Sequence, residues 1–114
     1  MNLNPRHQGN ALILAPQGRI DHASAGTFSE ALAPHLAECK SGGTPLVLDF
    51  SGIEYISSVG LRSLMLASRQ VKALGGSIAI AALTPGVKEV FEISRFNLVY
   101  KVYDSVDAAV AGLP

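Results

Sequence analysis

Tryptophan is absent from this sequence, and cysteine occurs once, at Cys39. One thiol allows no intrachain disulfide, so nothing in the chain demands an oxidising compartment. Excess charge of either sign is also missing, with Lys+Arg and Asp+Glu at 9 each. Nucleic-acid binders need clustered cations to displace counterions from phosphates; here there is no basic run and no aromatic stripe beside one. Apolar runs are short: Ile78 to Leu83 falls far below the roughly 20 residues that cross a bilayer. The start, Met1-Asn2-Leu3-Asn4-Pro5-Arg6-His7, has no apolar signal core. The expectation is a cytoplasmic protein with no membrane insertion and no direct nucleic-acid binding.

What is present is enough apolar material for one core. The chain has 114 residues, 48% of them hydrophobic and 16% charged. That length and balance suit a single folded domain over 1–114 that needs no staples. No repeat, low-complexity tract or linker divides it.

Punctuation by Gly and Pro marks the elements. Leu3 to His7 reads as an edge strand and Gly9-Asn10 as a turn. Ala11 to Ala15 reads as a buried strand that resumes through Gly18-Arg19-Ile20. Phe28, Ala31, Leu32, His35, Leu36 and Cys39 recur at helical spacing from a start near Asp21, with Pro34 expected to kink or split the helix. Leu46-Val47-Leu48 is a buried strand, and Ser51 to Ile56 carries the chain out of the sheet. A second helix starts at Ser57 or Ser58, keeps Arg62, Arg69, Gln70 and Lys72 on its outer side, and stops at Gly75-Gly76. Ser77 to Ala82 is a further strand. Thr84-Pro85 opens a third helix, with Thr as N-cap and Pro at the first helical position. Leu98 to Tyr103 is a last strand, and Asp104 or Ser105 caps a final helix. Alternation of this kind gives an α/β fold with a largely parallel sheet and an antiparallel N-terminal edge.

The segment Tyr55-Ile56-Ser57-Ser58-Val59-Gly60-Leu61-Arg62 is the most informative. It puts two hydroxyls where a loop meets a helix N-terminus. One serine is explained by capping alone. A second, exposed there, is a good phospho-acceptor, because free N–H groups and the helix dipole favour a phosphate. Gly60, in the first turn, allows another backbone or a ligand to come close.

Leu48-Asp49-Phe50-Ser51-Gly52-Ile53-Glu54-Tyr55-Ile56-Ser57-Ser58-Val59-Gly60-Leu61 resembles the signature of STAS domains, in particular bacterial anti-sigma factor antagonists. Gly18-Arg19-Ile20-Asp21, Gly75-Gly76 and Thr84-Pro85-Gly86-Val87-Lys88-Glu89-Val90-Phe91 match the same family in order. The resemblance runs from about Leu12 to Leu113. It implies a STAS fold: a mixed, mostly parallel sheet of four to five strands with about four helices on one face. It also implies a protein-binding switch and not an enzyme. The serine two residues before the signature glycine, here Ser58, would be phosphorylated by a serine kinase that is also the anti-sigma factor. The unphosphorylated form would sequester that kinase, and a PP2C-type phosphatase would restore it. Ser57 stands where many antagonists have Asp, and is an alternate acceptor. Val59 stands where many have a small residue. The partner-binding surface implied is Asp21, Ser57, Ser58, Gly60, Leu61 and Arg62. The other reading is a phosphate-independent STAS subunit of a lipid-transport ATPase or of a stressosome-like assembly.

The remaining polar residues point to no catalytic, metal or cofactor site. Asp21 reads as a helix cap, or as part of the loop beside the serine. Asp21, His22 and Ser58 do not make a hydrolase: adjacent Asp and His side chains diverge, and no nucleophile elbow is present. His7, His22, His35 and Cys39 are scattered without metal spacing. Gly75-Gly76 lacks the Lys-Ser/Thr of a phosphate loop. Arg62, Arg69 and Lys72 are either solvated charge or a surface that greets an acidic partner.

Overall fold

A computed structural model of the chain describes residues 1–113. In chain order it contains β1 (Arg6–Gln8), β2 (Ala11–Leu14), β3 (Gly18–Ile20), α1 (Ala25–Glu38), β4 (Leu46–Asp49) and β5 (Ile53–Ile56). Then come α2 (Ser58–Ala73), β6 (Ile78–Ala81), α3 (Pro85–Ile93), a 3₁₀ turn (Phe96–Leu98), β7 (Val102–Tyr103) and α4 (Val106–Gly112). The main sheet has the order β1-β2-β4-β6-β7, with β1 antiparallel to β2 and the other pairs parallel. The mixed, mostly parallel five-stranded sheet with four helices is as the sequence predicts.

The central strand shows why both faces must be covered. Successive side chains of a strand point to opposite faces. Leu46 and Leu48 join the main core with Leu14, Phe28, Leu64, Ile80 and Phe91, while Val47 joins a smaller cluster with Ala11, Ile13, Ala81 and Ala109. Helices α1, α2 and α3 supply the large core. Helix α4 seals the small one through Ala109, packed against β4, β6 and β7. The expectation that all the helices share one face therefore holds for three of them; α4 lies on the other.

Three local expectations also change. Helix α1 runs unbroken through Pro34. Pro34 is exposed, so the Glu30 carbonyl left without its amide donor can turn to water. Ile53–Ile56 does not merely leave the sheet. It forms β5, paired parallel with β3 in a separate two-stranded ribbon. The last strand shrinks to Val102–Tyr103. Arg95, in the left-handed region at φ 57°, closes α3, and the 3₁₀ turn buries Phe96 and Tyr100. Phe96 meets Phe91 edge-on at 5.4 Å and Tyr100 stacked at 6.2 Å. The four-residue spacing of Phe96 and Tyr100 is a helical signal hidden inside an apolar run.

Two ties set the position of α2. The buried hydroxyl of Tyr100 donates to the Leu64 carbonyl at 2.7 Å, and burial pushes that phenol well above its usual range. At the far end Gly75 takes φ +73°, and the Gly75 and Gly76 amides donate to the Lys72 and Val71 carbonyls. That closes the helix as glycine commonly does.

Candidate functional site

The β3–β5 ribbon delivers two loops to one place. The Ile20 carbonyl, at the end of β3, accepts the Ser57 amide just past the end of β5, at 2.9 Å. This bond brings the loop that begins at Asp21 beside the start of α2.

Ser57 is the N-cap of α2. Its backbone is extended (φ −90°, ψ 173°), and its Oγ accepts the Gly60 amide at 3.2 Å. Ser58 is the first helical residue and is exposed. Its hydroxyl takes part in no hydrogen bond among the described residues, and neither do the Ser58 and Val59 amides. No acidic residue occupies the first turn. The result is a free hydroxyl beside two free N–H groups at the positive end of a 16-residue helix.

Gly60 is buried, and its role is clearance. A Cβ here would lie 2.7 Å from the Ile20 carbonyl oxygen, 2.7 Å from Ile56 Cγ1 and 2.9 Å from Ile20 Cγ2. The close approach expected at this glycine is thus made by the chain's own β3 backbone. Leu61 is half-buried against the main core. Arg62 is exposed one turn along from Ser58 and makes no ion pair among the described residues.

Asp21 shapes the adjoining loop. Its Oδ1 accepts the Ala23 amide at 3.1 Å, and the Ser24 amide and hydroxyl at 3.2 Å each. Its Oδ2 meets Arg19 Nε at 3.4 Å. Partial desolvation raises the carboxyl's pKa, but the bonds from Ser24, Ala23 and Arg19 outweigh it and hold Asp21 below its ordinary value of 3.8. The helix proper begins four residues later, at Ala25, so Asp21 caps the turn that leads into α1.

One pair was not foreseen. Arg19 and Tyr55 are cross-strand partners in the ribbon, with the guanidinium 4.3 Å from the ring centroid and both side chains exposed. No sequence signal marks this cation–π contact, because it depends on a pairing between distant segments. His22 is exposed on the same loop and shares no hydrogen bond with Ser58 among the described residues. No group of three or more His, Cys, Asp or Glu among the described residues could hold a metal, and no helix among them is long and apolar enough to cross a membrane. Two depressions, of about 390 and 250 Å³, are lined by residues such as Leu83 and Phe91 and by Val71 and Tyr103. Neither includes the serine segment.

Known proteins share this fold. A Bordetella bronchiseptica protein, BtrV, provisionally named an anti-sigma factor antagonist, is 38% identical over 100 residues, covering 88% of this chain and 84% of its own. A crystal structure of a Thermotoga maritima protein, likewise provisionally named an anti-sigma factor antagonist, superposes with a TM-score of 0.86 at 20% identity, over 97% of this chain and 93% of that one. The anti-sigma factor antagonist SpoIIAA in its unphosphorylated form gives 0.71 at 14% identity, over 94% and 91%. Its phosphorylated form, from Bacillus, gives 0.66 at 14% identity, over 95% and 96%. The STAS domain model matches residues 2–109. With the fold, the serine-headed helix and this match in agreement, the chain belongs to the STAS domain family.

Proposed function

We propose that this protein is an anti-sigma factor antagonist that binds an anti-sigma factor with serine-kinase activity and is released from it by phosphorylation of Ser58. The observation that carries this reading is the division of labour between the two serines. Ser57 Oγ is engaged as the helix cap, while Ser58 Oγ is exposed and unbonded. The name of the relative BtrV supports the antagonist part. SpoIIAA, a protein of the same fold, takes a phosphorylated form.

In this scheme the kinase transfers the γ-phosphoryl group of ATP to Ser58 Oγ. The hydroxyl proton passes to the kinase, and ADP leaves. The phosphate adds about −1.5 to −2 charges beside the unbonded Ser58 and Val59 amides, so the helix tolerates it. In a desolvated contact the same charge repels the partner. A PP2C-type phosphatase hydrolyses the ester and restores the binding form. The chain itself is ligand and phosphate acceptor and does no chemistry.

The test uses the host's purified anti-sigma factors with ATP, followed by peptide mapping. Phosphate on Ser58, abolished in Ser58→Ala, is expected. Ser58→Asp should weaken binding to the same kinase by at least about tenfold. Phosphate on Ser57, or unchanged binding by Ser58→Asp, would overturn the scheme. Stoichiometric, phosphate-independent co-purification with a transporter ATPase would put a fixed module in its place.

A further inference from the structure

Helix α2 carries Arg62, Arg69 and Lys72 and no acidic residue, although the whole chain is neutral. Ser58, Arg62, Leu66 and Arg69 follow one another at steps of four, four and three residues. At 3.6 residues per turn they form a single stripe, opposite the buried Gly60, Leu64, Ala67 and Val71. All four are exposed, Leu66 by 51%. Leu66 thus stands open between two arginines that make no ion pair among the described residues. Beside it a groove of about 150 Å³ separates α1 from α2, lined by Ser29, Ala33, Leu36, Ser63 and Leu66 among others. Its α1 bank carries no charge.

We infer that this stripe and groove form the docking surface for an acidic protein face bearing an apolar side chain, and that this face belongs to the anti-sigma factor of the preceding section, on whose identification the inference rests. The argument is charge complementarity around an apolar anchor. Carboxylates of the partner would meet Arg62 and Arg69, while its apolar side chain enters the groove against Leu66. The position of Ser58 then acquires a reason. A phosphate there stands at the head of the stripe, about 6 Å along the axis from Arg62, and cancels much of the positive charge the partner recognises. A protein suits the surface better than a membrane, which needs a broader apolar face and more basic charge.

The experiment measures binding of the purified host kinase that phosphorylates this chain, using Arg69→Glu, Leu66→Ala and, as an off-stripe control, Lys88→Glu. Arg69 lies about 16 Å along the helix axis from Ser58, so it reports on the stripe and not on the phosphorylation site. Arg69→Glu should weaken binding about tenfold and Leu66→Ala several-fold, with Lys88→Glu unchanged. Affinity should also fall as salt rises from about 0.05 to 0.5 M. Wild-type affinity in both stripe variants overturns the inference. If Ser58→Asp still releases the partner in that case, the switch stands without the stripe. Weakened binding in the stripe variants with no effect of Ser58 phosphorylation keeps the stripe and removes the switch. Binding through Arg62 and Arg69 to vesicles containing about one-third phosphatidylserine, in place of the kinase, would also overturn it.

Discussion

Ser57 and Ser58 carry the same functional group, and the backbone alone separates their roles. Ser57 is extended and turns its oxygen back to the Gly60 amide; Ser58 is already helical and points its hydroxyl outward, clear of any partner among the described residues. Stability and signalling should therefore part company on mutation. Ser57→Ala loses the cap and should cost about 1 kcal/mol. Ser58→Ala should change stability by less than about 0.5 kcal/mol, as exposed substitutions usually do, while removing the proposed phosphate site. Chemical denaturation of both variants checks this, and equal losses would mean that Ser58 is structural as well. At this scale the sequence was half legible. It placed two hydroxyls at a helix start, but capping depends on which residue adopts extended φ/ψ, and that is decided by the Ile20–Ser57 bond from a segment far away in the chain.

Elements show the same limit. Helices α1 and α2 and the core strands were legible because their apolar periodicity is local. The β3–β5 ribbon was legible only in part: Gly18-Arg19-Ile20 reads as strand, but as a continuation of the one before it, and its pairing with Ile53–Ile56 joins short segments far apart in the chain. Nor could the sequence tell which face α4 would cover: an apolar stripe says that a helix packs, not on which side of the sheet. The ribbon matters because it seats α2. Gly60 lets the helix start approach Ile20 and Ile56 more closely than any Cβ permits. Gly60→Ala gains roughly 1 kcal/mol in helix propensity, but its methyl would meet a backbone oxygen that cannot swing aside. Overpacking of this kind costs about 1 to 3 kcal/mol. The expected outcome is a net loss of stability with a displaced helix start, read as a lowered Tm and as amide chemical-shift changes at Ile20, Ser57 and Ser58. A variant with raised Tm and unchanged shifts would show that the contact is looser than described.

Across the whole molecule one core joins nearly every element, from Leu3 near the start through Phe28, Leu48, Leu64 and Phe91 to Tyr100. Cys39 sits in it, completely buried between the end of α1 and the start of β6, with Sγ donating to the Ser77 carbonyl at 3.1 Å. Burial pushes its thiol above the ordinary value, although the Ser77 and Leu46 backbone groups pull the other way. The thiolate is the nucleophile that attacks thiol reagents, so both access and ionisation oppose reaction while the fold is closed. Because the core is shared, exposing Cys39 requires more than a frayed end or a mobile loop. Labelling with a thiol-reactive dye in native buffer should be slow and should accelerate with denaturant in step with the loss of helical circular dichroism. The free energy of opening obtained from the labelling rates should then match that of global unfolding, as expected for a two-state domain of this size. Rapid labelling in native buffer would mean that the α1–β6 junction opens separately from the rest. Since α1 also forms one bank of the groove beside Leu66, such an opening would leave the proposed docking surface unfixed. Matching free energies would mean instead that the surface is held as rigidly as the core beneath it.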